Sequence, residues 1–156
     1  MDKTLLKLII LIGAFLGVVF GVLTAIPYLG EIAFWLLLCF AAVIEMVFLM
    51  RVKLLELLTV SESAVIGGII GFVSFMVFCI VYVPIVVILY KFFNYSANPG
   101  VSLMLGTANF FIVFVLSVFM SVLSATINSF MGFLTFYVKE FIKTLDDNEQ
   151  KRNIFK

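Results

Sequence analysis

The sequence predicts an all-α polytopic membrane protein, a bundle of four transmembrane helices. Composition is the first observation behind this. Hydrophobic residues make up 65% of the 156-residue chain and charged residues 12%, against about 45–50% and about 25% in a soluble domain. The apolar residues also fall in four long runs separated by polar or turn-forming stretches, so a bilayer rather than a larger core is their solvent. The third observation is a set of glycines four residues apart inside those runs, the spacing by which helices pack closely in lipid. The 19 phenylalanines suit lipid contact.

The first span is expected at about residues 5–26, behind Lys3 and Lys7, and Pro27 ends it. Its apolar run exceeds the ~7–15 residues of a signal-peptide core, so it reads as a retained helix. Pro27-Tyr28-Leu29-Gly30-Glu31 reads as a tight turn into a second span at about 32–50, closed by Arg51. Tyr28 and Trp35 lie near that turn, where amphipathic rings favour the membrane interface. The connection from Arg51 to Ser63 carries Leu54, Leu55, Leu57 and Leu58 and reads as a helical extension along the interface. Thr59-Val60-Ser61-Glu62 has capping-box spacing, which starts a third span at about 64–90 with Pro84 expected to kink it. Residues 91–106 read as the longest loop, with Asn98-Pro99-Gly100 as a turn signal and Val101 to Leu105 as a short interfacial piece. The fourth span, about 109–138, is longer than a bilayer needs. The charged tail, 139–156, is expected to fray after Asp146-Asp147-Asn148.

Lys and Arg set orientation. Of the ten in the chain, Lys3, Lys7, Arg51, Lys53, Lys139, Lys143, Lys151, Arg152 and Lys156 fall on one side of a four-span topology. Lys91 alone falls on the other. Both termini are therefore expected in the cytoplasm, in a multi-pass protein of the cell membrane. Spans one and three each carry glycine steps and later meet a proline, a pattern that also suggests two tandem helical hairpins.

Gly13, Gly17 and Gly21 share one helical face, and Gly67 and Gly71 repeat the step in span three. These are the expected helix-packing positions. Span four carries Ser117, Ser121, Ser124, Asn128, Gly132 and Thr135 at steps of three or four, a small polar stripe that should face other helices.

Glu45 is the one acid well inside a span. A carboxylate near the bilayer centre costs on the order of 3 kcal/mol by insertion scales. It should face the bundle, either paired with Lys7 or protonated and donating to Asn128 or to a carbonyl bared by a glycine. By depth alone, Lys7, Glu45, Ser124 and Asn128 form a candidate intramembrane polar site.

The sequence holds no HExxH, GxSxG or phosphate-loop motif and no histidine, so neither catalytic residues nor a metal site nor a cofactor is expected. Cys39 and Cys79 stand 40 residues apart in apolar runs and read as small buried hydrophobes. Net charge of +1 offers no basic surface for nucleic acid. The expected function is non-enzymatic: an assembly or accessory subunit acting through glycine-mediated helix packing, as a homo-oligomer or with a larger membrane partner, in the lipid bilayer. The alternative is a small-solute or ion transporter or channel using Glu45.

Overall fold

The computed structural model describes residues 3–52, 54, 59–96 and 98–154, with side chains described as far as residue 145. Five helices and no strand occur among them: α1 (Lys3–Leu23), α2 (Leu29–Arg51), α3 (Val60–Phe93), α4 (Pro99–Thr107) and α5 (Phe110–Ile154). Lys3–Leu23, Leu29–Arg51, Val60–Phe93 and Phe110–Leu145 are each long and apolar enough to cross a membrane.

The α1–α2 turn is tighter than the sequence suggests. The Thr24 hydroxyl donates to the Phe20 carbonyl at 2.7 Å, and Tyr28 turns the chain with a φ of 64°. Helix α2 then begins at Leu29 rather than near residue 32. Gly30 permits this because its α-carbon packs directly on the Thr24 carbonyl, leaving no space for a side chain.

Helix α3 starts at a formed capping box. Thr59 N–H donates to Glu62 Oε2 at 2.9 Å, and Glu62 N–H donates to Thr59 Oγ1 at 3.3 Å. The preceding interfacial extension falls mostly on Lys53 and residues 55–58, outside the described residues. Helix α3 passes through Pro84 as one element and ends where Asn94 takes the left-handed conformation, φ 48°, which asparagine tolerates.

The expected long loop is largely helical. Asn98 caps α4 by accepting from Val101 N–H at 3.3 Å, and Pro99 occupies the first turn, where its missing N–H costs nothing. The tail also differs from expectation. Helix α5 continues through Asp146, Asp147 and Asn148 to Ile154, because the Glu, Gln, Lys and Arg residues there are good helix formers and no proline or glycine interrupts them. Its 45 residues span nearly 70 Å at ~1.5 Å per residue, about twice the ~30 Å hydrocarbon core.

Helix α3 is the centre of the bundle. Helix α1 lies along it in parallel, α5 lies along it antiparallel, and α2 packs on all three. Helix α2 also runs parallel to α5, with Leu38 beside Ser124, Ala42 beside Asn128 and Met46 beside Gly132. Each helix of the first hairpin thus lies along its counterpart in the second. The buried cluster joins Ile9 of α1, Leu37, Leu38, Ala41, Ala42, Met46 and Leu49 of α2, and Ile66, Ile70, Phe75 and Phe78 of α3.

Candidate functional site

Two glycine seams bring the helices close enough to build the site. Along α1 the buried residues are Ile9, Gly13, Gly17 and Gly21, one every fourth position. A β-carbon at Gly17 would overlap the Ser74 carbonyl and stand 3.0 Å from the Phe78 backbone nitrogen. At Gly21 it would stand 3.0 Å from Val81. The second seam joins α3 to α5. A β-carbon at Gly67 would overlap the Asn128 carbonyl, and one at Gly71 would stand 2.6 Å from the Ser124 carbonyl. Gly132, across from them, has Ser63 O at 2.6 Å and Gly67 Cα at 3.0 Å from the same construction. Backbone meets backbone in both seams, the contact that small residues allow in lipid.

The second seam delivers Asn128 to α2, where its side chain is fully buried. The amide grips one turn of the α2 backbone. Ala42 N–H donates to Asn128 Oδ1 at 2.8 Å, and Asn128 Nδ2 donates to the Leu38 carbonyl at 2.8 Å. Nδ2 also donates to the Ser124 carbonyl at 3.0 Å and to Ser124 Oγ at 3.2 Å. Ser124 Oγ in turn donates to the Leu38 carbonyl at 3.5 Å. The amide therefore has its donors and its acceptor occupied. The rest of the polar stripe turns back on its own helix: Ser117, Ser121 and Thr135 donate to the carbonyls of Val113, Ser117 and Met131. Ser124 and Asn128 reach across to α2, and Ser117 also meets the Cys79 thiol of α3.

Glu45 sits three residues further along α2 than Ala42, on the side facing α1 and α3. It is 1% exposed, and among the described residues neither Oε1 nor Oε2 has a hydrogen-bond partner. Gly13 makes room for it: a β-carbon there would stand 3.3 Å from Glu45 Oε2, with the Ile70 carbonyl 3.8 Å and Val73 3.9 Å from the same point. The glycine of α1 thus forms one wall of a carboxyl-sized pocket, and the α3 backbone stands near another. Leaving a buried polar group unpaired costs on the order of 1–3 kcal/mol.

The four residues grouped by depth separate into three environments. Ser124 and Asn128 form one hydrogen-bonded unit on α2. Glu45 stands apart from it, against Gly13. Lys7 is exposed, two helical turns from Gly13 on α1, and no ion pair links it to Glu45 among the described residues. Depth along each helix was legible in the sequence, but rotation was not. The Ile70 carbonyl also lies beside the site and was not singled out, while Gly132 was expected only as a member of the polar stripe. Gly132 carried a signal, since it falls four residues after Asn128 on the polar stripe.

What this arrangement offers chemically is one ionisable carboxyl whose oxygens are, among the described residues, the buried side-chain polar atoms left without a hydrogen-bond partner. Among the described residues no group of three His, Cys, Asp or Glu side chains could hold a metal ion. Comparison with protein-family models, with curated proteins and with solved structures finds no match to this chain.

Proposed function

We propose that this chain is a small transporter or channel of the cell membrane in which Glu45 exchanges a proton or a cation as the α1–α2–α3 junction opens and closes. One observation carries the reading: a fully buried carboxyl with both oxygens unpartnered among the described residues. Membrane-depth acids are costly and commonly mark ion or proton paths. A merely structural acid would gain by pairing, and the amide of Asn128 does pair fully. Lys and Arg placement supports a topology with both termini in the cytoplasm, so Glu45 would be reached from the Arg51 side.

Proteoliposomes loaded with a pH-sensitive dye test this. A potassium diffusion potential should drive proton uptake through wild-type protein. Glu45→Gln should abolish that uptake with its melting temperature unchanged. Uptake equal to the wild type in Glu45→Gln would end the proposal. Orientation is tested separately by single cysteines at Asn98 or Asn148 in a background lacking Cys39 and Cys79. An impermeant thiol reagent outside the cell should label the first and spare the second.

The assembly reading is supported by a different feature, the lipid-facing side of α5. Much less of this span is buried than of α2, and Phe110, Phe111, Phe114, Phe119 and Phe130 are all exposed on it. Association would use this phenylalanine face, because the glycine seams are filled within one chain. Molar mass in mild detergent by light scattering distinguishes a monomer from a homo-oligomer.

A further inference from the structure

At the Pro27 end of the bundle, away from Glu45, an open cleft of about 620 Å³ lies between the α1–α2 turn, the first turns of α2, Tyr82 of α3 and the start of α4. That volume is in the range of small-molecule sites, ~300–1,000 Å³. Its chemistry is one-sided. Tyr28, Phe34, Trp35 and Tyr82 supply aromatic surface, Glu31 supplies a carboxylate, and among the described residues no lysine or arginine lines it.

The aromatic lining is held from behind. Phe34 meets Trp35 edge-on at 5.7 Å, and Tyr82 stacks on Phe78 at 5.1 Å, with Phe78 in turn against Phe75 in the core. These contacts engage three of the four rings that line the cleft. Asn98 Oδ1 is committed to the α4 cap, and the carboxyl of Glu31 is the acidic group among the lining residues. A hard metal ion would need several oxygen ligands in place of its water, and the cleft does not present them. A substituted ammonium needs few. It sheds its weak hydration onto aromatic faces, whose quadrupole attracts it, and one carboxylate completes the balance of charge.

We propose that this cleft binds a substituted ammonium group, either the choline headgroup of a membrane lipid or a free organic cation. The site is independent of Glu45 and stands whether or not that residue carries protons.

Trp35 is the single tryptophan of the chain, so intrinsic fluorescence reports on the cleft alone. In a maltoside detergent, tetramethylammonium chloride should change Trp35 emission saturably, while potassium chloride at equal ionic strength should not. Glu31→Gln should weaken the apparent affinity roughly tenfold, a plausible share of a charge–charge attraction near the surface. Tyr82→Leu should also weaken it, and Glu45→Gln should leave it unchanged. Thermal melting of each variant separates loss of binding from loss of fold. Nanodiscs identify the source: a response blunted in phosphatidylcholine relative to phosphatidylglycerol assigns the lipid headgroup, and equal responses assign a free cation. The proposal is overturned if potassium chloride reproduces the tetramethylammonium response. It is equally overturned if folded Glu31→Gln and Tyr82→Leu both titrate like the wild type.

Discussion

Asn128 and Glu45 are both fully buried polar side chains in contact with the same half of α2, yet the bundle treats them in opposite ways. The amide makes four hydrogen bonds, two of them to the α2 backbone. The carboxyl, one helical turn along, has no partner among the described residues. The difference lies in what each neighbouring helix offers. Toward α5, small residues bring a side-chain amide up to an exposed turn of backbone. Toward α1, a glycine opens space but brings no donor. A satisfied polar group in lipid is a fastener, whereas an unsatisfied one is held at a cost that packing alone does not explain.

The largest effect expected comes from the seam that builds the carboxyl's pocket. Gly17→Leu would drive a side chain into the Ser74 carbonyl, where neither backbone can yield, and should destabilise the bundle by about 3 kcal/mol or more. Chemical denaturation in mixed micelles reads this directly. Tolerance of Gly17→Leu would mean that α1 is free to move off α3, and the pocket at Gly13 with it.

The same substitution at the two polar residues should then give opposite signs. Asn128→Leu removes the grip on Leu38 and Ala42 and should cost about 2 kcal/mol, since interhelical hydrogen bonds in membranes contribute roughly 0.6–1.7 kcal/mol each. Glu45→Leu should be neutral or stabilising by about 1 kcal/mol, because an unpartnered polar group gives way to an apolar one of similar size. This departs from the sequence-based expectation of a hydrogen bond donated by Glu45, whose loss would harm packing. Among the described residues there is no such bond to remove. Loss of stability in Glu45→Leu equal to that in Asn128→Leu would erase the distinction between fastener and held carboxyl.

The smallest effects sharpen the comparison. Gly13→Ala would put a methyl 3.3 Å from Glu45 Oε2, a contact that a side chain can absorb. Melting should shift by less than the equivalent of ~1 kcal/mol, while proton uptake in proteoliposomes should fall as the carboxyl is crowded. Val18→Leu, at a 43% exposed position, should change neither. A Gly13→Ala protein with unaltered uptake would show that the space beside Glu45 has no part in its chemistry.

Much of this molecule follows from the sequence alone because a bilayer imposes strong rules. The four long apolar helices, approximate span limits and the Thr59–Glu62 cap follow from apolar run length, proline position and a four-residue pattern. Each of these acts locally along one helix. Helix α4 and the helical tail were less legible. Their sequences are mixed in character, and the polar residues that read as loop or fraying also cap and sustain helices. Tertiary structure decided what periodicity leaves open, the rotation and neighbour of each face. Glycine spacing says that a groove exists but not which backbone fills it. The depth of Lys7, Glu45 and Asn128 says that they share a layer but not which of them meet. Those facts arise from distances between chain segments 32 to 90 residues apart, set by the joint packing of four helices. In that packing Asn128 meets the carbonyl of Leu38, whereas the carboxyl of Glu45 lies beside Gly13 with no hydrogen-bond partner among the described residues.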